Sequence, residues 1–246
     1  ALIGLEEGVI TPKTKFICRN GYHVGSFTLG CHHWRSFDLV GSIQYSCNAY
    51  YCNVIRRILD APKFRNVRDG YIHWKQHVNS FGLGKRLQTD LTNELKGIVP
   101  SAGYFDRKYG GPNTWTSLMM VSMGIGQAEL GVTPVQMANM AAIMANKGYY
   151  YTPHLVKEIK GGPPIDNRFT QRQYTTIDSS YFAPIIEGME HVVLDGTATT
   201  ARSPGIDICG KTGTAENPHG EDHSIFIAFA PKEDPVIAIS VYVENA

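Results

Sequence analysis

The stretch IDICGKTGTA, residues 206–215, opens the part of the chain that decides the fold. Two further runs rich in β-branched and aromatic residues follow at residues 224–230 and 236–244, and turn-forming residues separate the three runs. This spacing predicts three adjacent antiparallel strands. The last run is almost continuously apolar, which is typical of a strand covered on both faces.

The chain before residue 200 shows helical periodicity. Residues 133–136, with the sequence TPVQ, match a capping box with proline at the first helical position, and Gly148 follows as a stop signal. The pattern therefore predicts a buried helix between them. Further helices are predicted at about 181–194 and on both sides of Ser46. Residues 97–112 are rich in glycine and aromatic residues, which indicates a long surface connection.

Helices followed by a run of strands predict an α+β fold, in which an antiparallel sheet packs against a mainly helical subdomain. We expect residues 1–246 to form one domain. Its mainly helical part, with an N-terminal hairpin-like segment, would occupy residues 1–200, and the sheet strands residues 201–246. Because the last strand needs cover on both faces, we expect this domain to be incomplete.

Composition narrows the functional classes. The chain has 246 residues, 43% of them hydrophobic, with 23 basic and 22 acidic residues and a net charge of +1. This near-neutral balance gives no electrostatic reason to expect nucleic acid or an anionic membrane as a partner. The longest apolar stretch, residues 135–145, contains polar side chains and is too short to span a bilayer. An anchor or export signal would therefore lie outside these residues.

Two short motifs carry the chemistry. Lys211-Thr212-Gly213 and Ser46-x-Asn48 are two of the three motifs of serine acyl-transfer sites that act on D-alanyl peptides and β-lactams. The third motif, Ser-x-x-Lys, which supplies the nucleophile, occurs nowhere in the 246 residues. A lysine can provide a fixed positive charge beside a serine hydroxyl, and glycine lets a substrate approach the backbone.

The strand that carries Lys211 can pair with an extended peptide. The Thr214 N–H would then be free to donate to an oxyanion, while the hydroxyls of Thr212 and Thr214 hold a carboxylate. Such a site suits the acyl-D-alanine end of a peptide.

The whole chain resembles the penicillin-binding protein transpeptidases, specifically the class B elongation type called penicillin-binding protein 2, which has a β-lactamase/transpeptidase-like fold. Six blocks in family order carry the resemblance: residues 5–12, 46–48, 81–84, 124–134, 196–198, and 210–215 with 229–231. The resemblance implies that Ser46 passes a proton to the leaving amine and that Asn48 contacts the substrate amide and the lysine of the absent motif. Lys211 would polarise Ser46. Thr212 and Thr214 would bind the substrate carboxylate, and the Thr214 N–H would form half of the oxyanion hole.

The resemblance also implies a function and a place in the cell. The whole protein would be a peptidoglycan D,D-transpeptidase with stem peptides ending in D-Ala-D-Ala as substrates and β-lactams as inhibitors. It would need no catalytic cofactor. Its partners would be a cell-wall glycosyltransferase and scaffold proteins, on the periplasmic side of the cytoplasmic membrane. Residues 1–246 alone would be inactive, because in this family the helix with the nucleophile lies just before the segment that matches residues 2–8.

Other functional classes share these motifs. A serine β-lactamase or a D,D-carboxypeptidase would pass the acyl group to water, and a non-catalytic β-lactam sensor would need no nucleophile. The block at residues 124–134 and the length of the chain favour the transpeptidase.

The five cysteines form a separate pattern. Cys18, Cys31, His33 and Cys47 are a possible Cys₃His zinc set, since Cys31 and His33 project the same way from an extended segment. A disulfide from Cys18 to Cys31 and buried free thiols are the alternatives. Because Cys47 lies inside the Ser-x-Asn motif, a structural zinc would brace that motif rather than take part in the reaction.

Overall fold

The structure, a computed structural model, describes residues 1–217 and 219–245. Seven α-helices and seven strands are described in these ranges, together with short 3₁₀ helices. The helices are α1 (Leu2–Glu6), α2 (Leu39–Gln44), α3 (Asn48–Leu59), α4 (Val67–Ser80), α5 (Ala102–Lys108), α6 (Pro134–Ala145) and α7 (Phe182–Leu194). The strands are β1 (Phe16–Val24), β2 (Phe27–Phe37), β3 (Tyr149–Tyr151), β4 (Arg172–Tyr174), β5 (Cys209–Ala215), β6 (His223–Ala230) and β7 (Ile237–Val243).

The C-terminal strands form an antiparallel sheet in the order β5-β6-β7, as the sequence predicts. Lys211 pairs with Ile227, which pairs in turn with Ser240. Helix α7 packs against β5, and α6 packs against β6 and β7. Strand β5 therefore lies at the edge of the sheet and next to the helical part of the molecule. The predicted α+β fold is confirmed.

The helical part has its core around α3, whose side chains Tyr50, Cys52 and Leu59 are almost fully buried. The hairpin β1–β2 packs on this helix, and the small sheet β3–β4 lies beside α6. Helix α6 begins with the predicted capping box, in which the Thr133 hydroxyl accepts a hydrogen bond from the backbone N–H of Gln136. Among the described residues, no helix has both the length and the apolar character needed to cross a bilayer.

One expectation from the sequence is wrong. Residues 97–112 are not simply a surface connection, because they contain α5, which Ser101 caps and whose Phe105 is fully buried between aromatic rings. The described residues leave one face of strand β7 open, so the cover expected for that face stays a prediction. Ile237 and Val241, on one of its faces, remain 55% and 46% exposed.

Candidate active site

A tight turn between α2 and α3 carries Ser46. We call residues 45–48 the Ser46 turn. The N–H of Ser46 donates to the carbonyl of Ile43, and the N–H of Cys47 donates to the carbonyl of Ser42. These two bonds define a Schellman motif, which ends a helix with a left-handed residue that is usually glycine. Ser46 takes that position with φ 54°, so the backbone accepts a strained conformation at this residue.

Lys211 faces this turn from strand β5. Its Nζ donates to Ser46 Oγ at 2.8 Å and to the carbonyl of Thr212 at 2.7 Å. The two residues are 165 positions apart in sequence, so the fold itself brings the two motifs together. A hydroxyl next to an ammonium group is an arrangement that can relay a proton.

Burial changes the acid–base character of this lysine. Desolvation lowers the pKa of Lys211 from 10.5 to about 8, because the charged ammonium loses most of its contact with water. The group is therefore poised to gain and lose a proton near neutral pH. Perturbed pKa values of this kind are common at functional sites.

Helix α7 fixes the Ser46 turn from behind. A Cβ on Gly188 would approach Ile43 to 2.8 Å, and one on Gly196 would approach the carbonyl oxygen of Gln44 to 2.6 Å. Only glycine at these positions lets α7 and the segment after it lie directly against α2. The two glycines thus allow the close contact that holds the turn near β5.

We call the space between the Ser46 turn and strand β5 the groove, and the other predicted site residues lie on the elements that flank it. Asn48 begins α3, and its Nδ2 donates to the carbonyl of Gly30 in the hairpin at 3.0 Å. Thr212 and Thr214 alternate with Lys211 along β5; the Thr212 hydroxyl is half-buried beside another hydroxyl, and Thr214 is exposed. Gly213 leaves room above the strand, since a Cβ there would meet nothing closer than 3.4 Å. Binding of substrate by these residues stays a prediction.

Sequence reasoning assigned no site role to two neighbours of β5. The Thr197 hydroxyl lies 2.8 Å from that of Thr212, and Gln127 Nε2 donates to the carbonyl of Thr214 at 3.1 Å. Both residues belong to blocks that carried the family resemblance. That resemblance was the available signal, because their distance from Lys211 in sequence hides the contact.

The thiol cluster, Cys18, Cys31, His33 and Cys47, lies directly behind the Ser46 turn. One ligand-type atom from each residue falls within 4.8 Å of all the others, and the Cys31 Sγ lies 3.2 Å from His33 Nδ1. All five cysteines of the chain are buried free thiols. A hydrogen bond with the Cys47 thiol is the main cause that lowers the pKa of Cys31 to about 4, and the same bond raises the pKa of Cys47. The cluster brings together the set predicted for zinc.

Comparison with known proteins identifies the family to which this chain belongs. The model of the penicillin binding protein transpeptidase domain matches residues 1–246. The peptidoglycan D,D-transpeptidase MrdA of Acinetobacter baumannii is 26% identical, and the alignment covers 100% of this chain and 38% of that protein. The chain therefore spans well under half the length of this relative.

Solved structures of penicillin-binding proteins superpose on this chain over at least 99% of its length. Penicillin-binding protein 2 of Pseudomonas aeruginosa, in complex with WCK 5153, superposes with a TM-score of 0.80 at 30% identity, covering 100% of this chain and 54% of that one. The Helicobacter pylori penicillin-binding protein 2, solved in complex with MreC, gives a TM-score of 0.78 at 23% identity, covering 99% and 44%. At that identity it supports the fold alone. The resemblance inferred from the six sequence blocks is confirmed, and the chain belongs to the penicillin-binding protein transpeptidase family.

Proposed function

We propose that this chain provides the Ser-x-Asn and Lys-Thr-Gly parts of a serine-type peptidoglycan D,D-transpeptidase. The observation that carries the proposal is the hydrogen bond of 2.8 Å between Lys211 Nζ and Ser46 Oγ across the groove. The family match over residues 1–246 supports it. The chain is part of an enzyme that cross-links cell-wall peptides, and β-lactams inhibit it by forming a stable acyl-enzyme.

The reaction proceeds by acyl transfer. A serine hydroxyl attacks the carbonyl of the penultimate D-alanine, the peptide bond breaks, and the terminal D-alanine leaves as an amine after it gains a proton. The amine of a second peptide then attacks the acyl-enzyme, restores the serine and forms the cross-link. Ser46 and Lys211 relay the proton to the leaving amine. The N–H of Thr214 donates to the oxyanion, and Asn48 orients the substrate amide.

The nucleophile itself belongs to a Ser-x-x-Lys motif that the 246 residues do not contain. We propose that another segment of the full-length protein supplies it. Residues 1–246 on their own should then form no covalent adduct with a fluorescent penicillin on a denaturing gel. A covalent band would show that the nucleophile lies within these residues.

Substitution in the full-length protein tests the roles of the two groups. Lys211→Met and Ser46→Ala should each slow acylation by a fluorescent penicillin about 100-fold or more, since both remove a positioned proton-transfer group. Lys13→Met and Ser36→Ala are matched controls at exposed positions and should leave the rate unchanged. An unchanged rate in Lys211→Met would refute the proposal. Rapid release of the acyl group to water in the unaltered protein would instead favour a β-lactamase.

We further propose that the thiol cluster binds a structural zinc ion. The geometry fits, because four ligand-type atoms within 4.8 Å of one another suit a tetrahedral ion with Zn–S bonds of about 2.3 Å. Four protein ligands leave no open position, so the ion would hold Cys47, and with it Ser46, against the hairpin. The transpeptidase reaction itself needs no cofactor.

Elemental analysis tests the zinc proposal. Cys47→Ala should hold one equivalent of zinc fewer than the unaltered protein. Cys52→Ala is the matched control, since Cys52 is equally buried in α3 but lies outside the cluster. Equal zinc contents in the two variants would rule out this site.

Partners and location follow from the function. We propose that the full-length protein works on the periplasmic side of the cytoplasmic membrane, with a cell-wall glycosyltransferase and a scaffold protein. The Helicobacter pylori relative was solved with MreC, which is consistent with a scaffold partner. Co-purification of the full-length protein from its own cells after cross-linking would test this, and recovery without either class of partner would count against it.

A further inference from the structure

A second cluster of ligand-type side chains lies outside the groove. Glu7 follows α1, and His73 and His77 lie one turn apart on α4. The side chains of Glu7 and His77 are 5% and 9% exposed, and that of His73 is 34% exposed. We call these three residues the carboxylate–histidine cluster. Neither the acyl-transfer reaction nor the thiol cluster uses it.

Three atoms of this cluster form a nearly equilateral triangle. Glu7 Oε1 lies 2.9 Å from His73 Nε2 and 3.2 Å from His77 Nε2, and the two Nε2 atoms lie 3.2 Å apart. Hydrogen bonds cannot satisfy all three edges. Each ring nitrogen carries at most one proton, which points along one edge, and the carboxylate has none to give. At most two edges can therefore be hydrogen bonds, with both N–H groups donating to Glu7 Oε1, and the two Nε2 atoms then lie 3.2 Å apart with no bond between them.

A metal ion just outside the plane of the triangle would bond to all three atoms together. Zinc bonds of about 2.0–2.1 Å to nitrogen and oxygen place tetrahedral ligand atoms roughly 3.3 Å apart. The observed separations of 2.9 and 3.2 Å are close to that value. Two histidines and one carboxylate are also a common ligand set for divalent transition metals.

The surrounding contacts orient these ligands. Thr176 Oγ1 lies 2.7 Å from His77 Nδ1, so it can accept the proton on that nitrogen and leave the Nε2 lone pair free for a metal. The other oxygen of Glu7 pairs with Lys63 Nζ at 2.5 Å. Outer partners of this kind fix the tautomer of a ligating histidine and the orientation of a ligating carboxylate. Lys63 is half exposed, so water screens its charge from an ion on the far side of the carboxylate.

We propose that Glu7 Oε1, His73 Nε2 and His77 Nε2 bind one divalent transition-metal ion, such as Zn²⁺, with a fourth position open to solvent beside His73. Such an ion ties the end of α1 to α4. Through Thr176 it also reaches the loop in which the Asp178 N–H donates to Glu6. The ion stabilises this junction, and the site is separate from both the groove and the thiol cluster.

Zinc binding to the full-length protein tests the proposal. Titration with Zn²⁺ alone, followed by removal of free ion and elemental analysis, should give one equivalent more for the unaltered protein than for His73→Ala. His73→Ala should weaken the affinity for this zinc ion by more than about 100-fold. The matched control is His219→Ala, an exposed histidine outside the cluster, which should keep the full content.

Two further measurements guard against a folding defect and against confusion with the thiol cluster. Glu7→Gln keeps the shape of the side chain, so it should fold; combined with Cys47→Ala it should show no Zn²⁺-dependent rise in Tm, whereas Cys47→Ala alone should still show one. In a Cys47→Ala background, Co²⁺ should still bind, with visible absorption but without a thiolate charge-transfer band. Equal zinc contents in the unaltered protein, His73→Ala and Glu7→Gln would overturn the proposal, whatever the outcome for acyl transfer.

Discussion

The two sides of the groove are built in different ways. Ser46 sits in a strained, left-handed turn that α7 and the thiol cluster support from behind. Lys211 sits in a regular edge strand whose backbone is paired with β6. On the first side the backbone conformation is unfavourable, whereas on the second side the unfavourable element is a buried charge. The Ser46 side should therefore respond to packing changes at a distance, and the Lys211 side should respond to pH.

Replacing Gly196 tests the packing on the Ser46 side and should give the largest effect. In Gly196→Ala the new Cβ would lie 2.6 Å from the Gln44 carbonyl oxygen and 2.7 Å from the Val192 Cα, which are backbone atoms that cannot move aside easily. We expect a loss of about 3 kcal/mol in the free energy of unfolding, measured with urea. Gly213→Ala, on β5, is the counterpart on the other side, with no contact below 3.4 Å. Equal losses of stability in Gly196→Ala and Gly213→Ala would show that the two sides of the groove do not differ in their sensitivity to packing.

Removing the buried charge of Lys211 should raise the free energy of unfolding, whereas Gly196→Ala should lower it. The folded state lowers the pKa of Lys211 from 10.5 to about 8, so between these values the unfolded chain binds more protons and stability rises with pH. At pH 7 the full cost of the charge is present. At pH 7 the free energy of unfolding of Lys211→Met should therefore be about 2 kcal/mol higher than that of the unaltered protein, after allowance for two lost hydrogen bonds.

That gain should shrink as the pH rises through about 8 and should be lost before the pH reaches 10.5, where the two lost hydrogen bonds outweigh the remaining cost of the charge. Urea unfolding of both proteins at several pH values measures the difference directly, and Lys13→Met corrects for the loss of a surface charge. A gain that did not change with pH would contradict desolvation of the ammonium group as its cause.

The strain at Ser46 should give a smaller effect. Ser46→Gly and Ser46→Ala both remove the hydroxyl, so both should lose acylation equally. Only glycine relaxes the left-handed backbone, so Ser46→Gly should be more stable than Ser46→Ala by about 1 kcal/mol. Thermal unfolding of the pair, measured together with fluorescent penicillin labelling, separates the backbone from the chemistry. A less stable glycine variant would show that the turn is not strained.

The smallest effect is expected on β5. Thr212→Val removes the hydroxyl contact with Thr197 at 2.8 Å and should cost about 0.5–1 kcal/mol, since a typical net hydrogen bond is worth that much. Thr197→Val should cost the same, and the double variant little more than either one. Additive losses in this double-mutant cycle would mean that the two hydroxyls do not interact.

Local signals explain what the sequence could predict. The TPVQ pattern at residues 133–136 specifies a capping box through short-range hydrogen bonds, and the alternating apolar runs specify strands, so these elements are found as expected. The pairing of Ser46 with Lys211 was accessible only because the family resemblance linked two distant motifs. Helix α5 was missed because glycine and aromatic residues resemble a loop, although Ser101 and Phe105 provide its cap and its buried anchor.

The features that the sequence did not predict depend on contacts between residues far apart in the chain. His73 and His77 have the spacing of neighbouring side chains on one helix face, which is visible in the sequence. Glu7, however, lies 66 residues away from His73, and no local pattern connects them. The left-handed backbone of Ser46 was equally hidden, because serine has no local preference for that conformation.

Helix α7 contacts α2 on one side and β5 on the other, so a single element acts as a spacer between the two halves of the groove. Gly188 in the helix and Gly196 just after it let α7 pack closely against α2, so there is little free space at this contact. A displacement of about 1 Å at a reacting group can cost two orders of magnitude in rate. If the proposed function holds for the full-length protein, substitutions along α7 should change its sensitivity to β-lactams, and screening for resistance should extend to this helix.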